Sequence, residues 1–343
     1  MPPRGASARG LLPSGPDQSY DLNYKMGDCP AVSVVMTAYN VAPYIGAAIE
    51  SALAQTFRDF ELLVMDDGSM DGTLRIAERF SDPRLRVMRS PHRGAAMQLR
   101  HGIEQARAPY LALLDGDDLW SPNKLERHVQ FLDAQPRADL TFSWSRIIDE
   151  DGRDTGLTSR LWDGPISFSE LLADNVIGNG SALVLRREAL MAAGSIDAAF
   201  AACYDLDAWL RIGALRPGNL WAVPEFLTFY RRRPGQITAD VAVIERSFEQ
   251  LLQKARWFAP RAAALVEGQA RSNMQRFCAY GWYQAGLYGR ALGTMARSFR
   301  RAPRIFFADR RNWEMTAAAL SGLLLPAGLH RHITGAALRA TRA

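Results

Sequence analysis

Cysteine is scarce here. The 343 residues contain three, Cys29, Cys203 and Cys278, far apart and without a Cys-x-x-Cys pair. That set gives no support to a zinc ribbon or a disulfide framework, and it fits a reducing compartment, so a cytoplasmic protein is expected. The five histidines, His92, His101, His128, His330 and His332, lack the spacing of a helical zinc-protease motif. No stretch reaches the roughly 18 uncharged apolar residues of a spanning helix. The nearest, "MTAAALSGLLLPAGL" from Met315 to Leu329, is short and carries Pro326. It reads as a packed helix, with an interfacial helix beside basic neighbours as the alternative. The opening residues are rich in Pro, Gly and Ser and hold no apolar run of signal-peptide length, so residues 1–29 read as a loose tail. No glycine fingerprint follows the first apolar run, where "TAYNVAP" stands, which argues against a dinucleotide-dependent dehydrogenase.

What is present suits one large folded domain or two smaller ones. Hydrophobic residues make up 48% and charged residues 22%, enough for a sizeable core and too little charge for a disordered polyelectrolyte. The net charge of +5 gathers late, in stretches such as "RSFRRAPRIFFADRR" from Arg297 to Arg311. A basic surface suits nucleic acid, anionic lipid or a phosphorylated substrate, and charge alone does not choose. From Ala31 onward, strand-length apolar runs ("AVSVVMT", "FELLVMDD", "RLRVMRS", "YLALLD") alternate with segments of helical spacing ("PYIGAAIESALAQ", "DGTLRIAERF", "AAMQLRHGIEQA"). That alternation predicts an α/β fold, a mostly parallel sheet flanked by helices, with strands buried on both faces. After about Val241 the pattern turns helical.

Ligands bind such sheets beyond the carboxyl ends of the strands. Three apolar runs end in distinctive polar residues there: Thr37-Ala38-Tyr39-Asn40, Asp66-Asp67-Gly68-Ser69 and Asp115-Gly116-Asp117-Asp118. Asp115 and Asp117 are two apart and share a direction on an extended segment, and Gly116 lets backbone or ligand come close. Hard divalent cations take carboxylate and phosphate oxygens, so this edge is a candidate site for Mg2+ or Mn2+ holding a diphosphate. The bland alternative is a solvated acidic turn before the helix "PNKLERHVQFL", with Asp118 as its cap.

Taken together and in this order, "VSVVMTAYN", "SALAQTFRDFELLVMDDGSMDGT" and "YLALLDGDDLWSPNKL" resemble the inverting glycosyltransferases of family 2. The resemblance covers roughly Ala31 to Gln236. It implies a GT-A fold over residues 30–237, followed by a helical region over 238–343. It implies that Tyr39 stacks on the nucleotide base, that Asp67 accepts a hydrogen bond from the base, and that Thr37 and Asn40 lie close to the nucleotide. Asp115 would lie near the ribose and the hydrated cation, and Asp117 would ligate that cation. The general base would come from "YDLDAWLR", Tyr204 to Arg211: Asp205 in one register, Asp207 in the other, with Tyr204 where the family carries Glu. Asn179, Gly180 and Ser181 would face the acceptor.

Two departures touch the diphosphate. Leu99 and Arg100 stand where the family often carries an Arg-Asn pair, which leaves Arg100 or Arg93 as substitutes. In "FYRRRPGQIT", Arg233 stands where a histidine is common, and Arg231 to Arg233 could form a basic lid. The Gln-x-x-Arg-Trp signature of processive synthases is absent, which favours one sugar per event. The expected partners are a nucleotide-diphospho-sugar, a UDP-sugar first, and a glycan or lipid-linked acceptor. Nucleic acid is not expected, and peripheral contact with the inner membrane leaflet is. A nucleotidyltransferase or a catalytically impaired sugar-nucleotide-binding module are the rivals.

Overall fold

The computed structural model describes residues 29–326 and residue 330. The tail expected over residues 1–29 falls almost wholly outside these, as does the end of the apolar stretch that runs to Leu329.

The chain opens as β1 (Val32–Ala38), α1 (Ile45–Leu53), β2 (Phe60–Asp66), α2 (Thr73–Ala77), β3 (Leu85–Arg89), α3 (Ala95–Gln105) and β4 (Tyr110–Asp115). These strands pair in parallel in the order β3-β2-β1-β4. Each carries apolar side chains on both faces, and the faces separate by parity. Val34, Met36, Leu62, Val64, Ala112 and Leu114 join one core cluster with Ile45 and Ile49 of α1. Val35, Leu63, Met65, Leu111 and Leu113 join another with Leu99 and Ile103 of α3. Side chains alternating across a strand, with helices covering both faces, produce this division.

The second half is mixed. It adds β5 (Leu119–Trp120), α4 (Lys124–Ala134), β6 (Leu140–Ile148), β7 (Asp154–Thr158), β8 (Pro165–Ile166), α5 (Phe168–Ala173), β9 (Leu183–Arg186), α6 (Arg187–Ala192), α7 (Tyr204–Leu215) and β10 (Leu220–Arg231). β9 runs antiparallel between β4 and β6, while β10 lies parallel to β6. Short β5 pairs antiparallel with β10, which brings the acidic loop after β4 against the end of β10. The mostly parallel sheet expected from the sequence is parallel throughout its first half, and in its second half β10 and β6 continue that direction beside antiparallel neighbours.

Among the described residues five helices follow: α8 (Val241–Phe258), α9 (Pro260–Gln284), α10 (Tyr288–Arg301), α11 (Pro303–Ala308) and α12 (Arg310–Leu324). Phe248, Leu251 and Leu252 of α8 pack into the same cluster as Leu206, Trp209 and Leu210 of α7. The helical region is thus continuous with the sheet's core through α8. Among the described residues, no helix is long and apolar enough to cross a membrane.

Candidate active site

Register brings the polar strand ends together. Thr37 is paired with Asp115 and Ala38 with Asp66. The Thr37 hydroxyl donates to Asp115 Oδ1 at 3.0 Å, and the amide of Gly116 donates to the Thr37 carbonyl at 2.8 Å. A Cβ on Gly116 would stand 3.0 Å from that carbonyl oxygen and 3.1 Å from Ile45 Cδ1. Glycine is what lets β1 and the acidic loop approach this closely.

Beyond these strand ends lies an open cleft of about 780 Å3, large enough for a small ligand with several polar anchors. Thr37, Tyr39, Asp67, Asp115, Asp117, Asn179, Gly180, Asp205 and Arg233 all line it. Five expected site residues do not: Asn40, Ser181, Arg100, Arg231 and Asp207. Asn40, in the left-handed region at φ 49°, accepts from the amide of Met70 at 2.9 Å and latches the first loop to the second. Ser181 is buried and accepts from the amide of Asp115 at 2.9 Å, so it holds the acidic strand end from below. Arg100 faces outward on α3 and pairs with Glu104 one turn on. Arg231 is buried, and its guanidinium donates to the carbonyls of Asp117, Asp149 and Glu150. It straps the acidic loop in place and is not free to form a diphosphate lid.

Asp118 also departs from expectation. Asn123 stands at the N-terminal boundary of α4 without a side-chain cap bond, and Asp118 Oδ1 accepts from the amide of Arg231 at 2.8 Å. Burial first, then the charges of Asp117 and Asp115, push its pKa well above the usual carboxylate value.

Asp205 and Asp207 occupy opposite surroundings. Asp207 is buried; its Oδ2 accepts from Arg211 at 2.7 Å and from Lys254 of α8 at 2.9 Å. Lys254 also pairs with Asp197 at 2.7 Å. Asp207 is therefore part of the joint between α7 and α8, and only Asp205 faces the cleft. Burial raises the pKa of Asp205. A hollow of about 30 Å3, room for one water, is lined by Thr37, Asp115, Gly180, Tyr204 and Asp205 and connects the two acids.

Asp115 is pushed up to about 7, by burial first and by the Asp117 charge second. Asp117 Oδ2 accepts from Arg233 Nε at 2.6 Å and from Gln236 Nε2 at 3.3 Å. Arg231 and Arg233 both lie over the Tyr44 ring, at 4.9 and 5.4 Å. Two carboxylates this close, with Arg233 as the cation paired to Asp117, are the electrostatic setting a divalent cation relieves. Among the described residues no group of three His, Cys, Asp or Glu side chains could hold a metal. A cation here would fill its shell with phosphate oxygens and water, a common arrangement for Mg2+. The donor set fits on those terms.

At the other end, Tyr39 stacks on His92 with ring centroids 4.2 Å apart and planes inclined 20°. His92 Nδ1 lies 2.8 Å from Asp67 Oδ2. Asp67 also accepts from the amides of Arg93 at 2.8 Å and Gly94 at 3.0 Å, anchoring the loop before α3. Gly68, at φ +72°, makes room for that loop, since a Cβ there would meet the His92 amide nitrogen at 2.9 Å. His92, Arg93 and Tyr230 line the cleft, and sequence reasoning assigned no role to His92 or Tyr230. The available signal was position: "SPHRGA" ends a strand on the same edge as the acids.

This geometry has relatives. Residues 33–193 match the family model described as Glycosyl transferase family 2. Residues 33–193 belong to glycosyltransferase family 2. An uncharacterized protein of Mycobacterium tuberculosis is 32% identical over 224 residues, 63% of this chain and 63% of that protein. An uncharacterized glycosyltransferase of Rickettsia felis is 30% identical over 195 residues, 55% of this chain and 32% of its own length. The chain thus spans less than two thirds of the length of these relatives. Among solved structures, residues 1–349 of Staphylococcus aureus TarS in complex with UDP-GlcNAc align with a TM-score of 0.57 at 15% identity, over 91% of this chain and 90% of that one. The mannosyltransferase PcManGT of Pyrobaculum calidifontis, in complex with GDP-Man and Mn2+, aligns with a TM-score of 0.56 at 19% identity, over 91% of this chain and 85% of that one. At such identities the likeness concerns the fold, which is the GT-A fold of family 2.

Proposed function

We propose that this family 2 protein is an inverting, metal-dependent glycosyltransferase. It moves one sugar from a nucleotide-diphospho-sugar, a UDP-sugar in the first instance, to a hydroxyl of a glycan or lipid-linked acceptor in cell-surface polysaccharide synthesis. The observation that carries this reading is the convergence of Tyr39, Asp67, Asp115, Asp117 and Asp205 on one cleft. Where "TAYNVAP" stands, a dinucleotide site would need a glycine fingerprint and a nucleotidyltransferase would need a basic loop.

Each residue takes a role from its surroundings. Tyr39 is 40% exposed with His92 behind one face, so its other face is available to a nucleobase. In this reading Asp67 and Asp115 accept from the nucleoside, and Asp117 ligates the cation. Arg233, and Arg93 across the cleft, supply positive charge to the diphosphate. Bound Mn2+ or Mg2+ would neutralise charge growing on the leaving phosphate oxygen. Asp205, ionised, takes the acceptor hydroxyl's proton, and its raised pKa makes it a stronger base than a solvated aspartate. Asn179 and Gly180 line the acceptor side.

The test is turnover of a panel of nucleotide-sugars with Mn2+, comparing wild type with Asp117→Ala and Asp205→Asn. Activity with at least one donor, lost in both variants, is the expected result. Wild-type turnover untouched by Asp117→Ala removes the cation assignment, and absence of turnover with every donor hands the cleft to a binding module.

A further inference from the structure

The C-terminal helices leave a ridge of apolar side chains in solvent. Phe299 near the end of α10, Phe307 on α11 and Trp313 at the start of α12 are 42%, 55% and 44% exposed. They form one aromatic surface: Phe299 and Phe307 meet edge to face at 5.6 Å, and Phe307 and Trp313 meet at 4.8 Å. Buried Phe306 braces it from beneath, 5.4 Å from Trp313. Along α12, Leu320 and Leu324 follow Trp313 by seven and eleven residues and so share its face, and both are exposed. At 1.5 Å per residue that stripe is about 16 Å long.

The rim is basic. Arg300, Arg301, Arg304 and Arg310 are all exposed. The nearby acids are already engaged, Asp309 by Arg276 and Arg311, Glu314 by Arg310, and Glu249 by Arg271 and, at 3.9 Å, by Arg301. Arg300 and Arg304 have no carboxylate partner among the described residues. The charge left over on this face is positive.

We propose that this face is a membrane-docking surface. Its aromatic and leucine ridge enters the boundary between headgroups and acyl chains of an anionic bilayer, and its arginines meet the lipid phosphates. A second copy of the chain is the poorer occupant, because a two-fold contact would set the arginine rim against itself. Insertion is shallow, in keeping with helices too short and too polar to span. Docking of this kind rests on the helical face alone and is independent of the transfer chemistry.

The experiment is co-sedimentation of the full chain with phosphatidylcholine vesicles, with and without phosphatidylglycerol, alongside sedimentation velocity without lipid. The expected result is binding at least tenfold stronger to the anionic vesicles. Arg300→Glu with Arg304→Glu should weaken it on the order of thirtyfold, at about 1 kcal/mol per basic residue removed. Phe307→Ala with Trp313→Ala should weaken it tenfold or more, with circular dichroism and nucleotide binding unchanged. Should the aromatic pair fail to fold, the arginine pair, wholly on the surface, decides the matter by itself. Equal binding to both vesicle types, wild-type binding by either double variant, or a dimer that Trp313→Ala dissociates would each overturn the proposal.

Discussion

The mouth of β4 and the joint between α7 and α8 both crowd carboxylates into little space, and they resolve the crowding differently. At the joint, Asp197 and Asp207 meet Lys254, and Asp207 also meets Arg211. At the mouth, Asp115 and Asp117 share the cleft with Asp205, and the one cation paired with a carboxylate there, among the described residues, is Arg233, on Asp117. Buried charge is tolerated when it is paired, so the first set holds the fold together. The second set is left with negative charge that the protein does not neutralise, the condition expected of a site awaiting a cationic or metal-bearing ligand.

The sharpest way to break this comparison is to neutralise one acid in each region. Asp205→Asn is expected to lower kcat/KM by about a thousandfold, within the range of a lost general base, and to leave the melting temperature in place. Asp207→Asn is expected to destabilise the fold by about 3 kcal/mol, because it leaves Lys254 and Arg211 short of their shared acid. Steady-state kinetics with urea denaturation on both proteins decides it. A stable, inactive Asp207→Asn beside an active Asp205→Asn would reverse the roles.

A smaller effect is expected at Arg233. Arg233→Ala should weaken binding of a nucleotide diphosphate about tenfold, the scale of one hydrogen bond to a charged group. The same change should strengthen Mn2+ binding in the absence of nucleotide, since Asp117 loses its competing cation. Titration calorimetry reads both, and unchanged nucleotide affinity would make Arg233 a strap like Arg231. The pH profile sharpens the Asp205 assignment. Burial lifts its pKa above 3.8, and the base must be ionised, so kcat/KM should fall on acidification at a higher pH than an exposed aspartate would give. An acid limb absent from wild type would count against it. Least of all should happen at Arg100→Ala, which removes only an exposed pair with Glu104 worth about 0.3–0.5 kcal/mol. Activity should stay within twofold.

Much of the donor side is legible in the chain because strand ends on one edge of a parallel sheet must converge. Apolar runs ending at Thr37, Asp66 and Asp115 are enough to place three loops around one space. The same reasoning stops at residues whose direction depends on long-range packing. Nothing local tells Asp205 from Asp207, or an outward Arg100 from a cleft-facing Arg93. Arg231 and Arg233 are two apart on a strand end, yet one turns to backbone carbonyls and the other to Asp117, because β5 pins the acidic loop against β10. The antiparallel direction of β9 was illegible for a related reason: its four residues carry no signal of direction. His92 looks unremarkable in sequence, and only the loop fold around Asp67 puts it beneath Tyr39.

The central claim, that Asp115 and Asp117 hold a divalent cation against a diphosphate, is tested most directly by titrating UDP into the protein with and without Mn2+, in wild type and Asp117→Asn. The account predicts that Mn2+ strengthens UDP binding at least tenfold in wild type and has no effect in the variant. Equal UDP affinity with and without the cation in wild type, or an undiminished Mn2+ effect in Asp117→Asn, would contradict it.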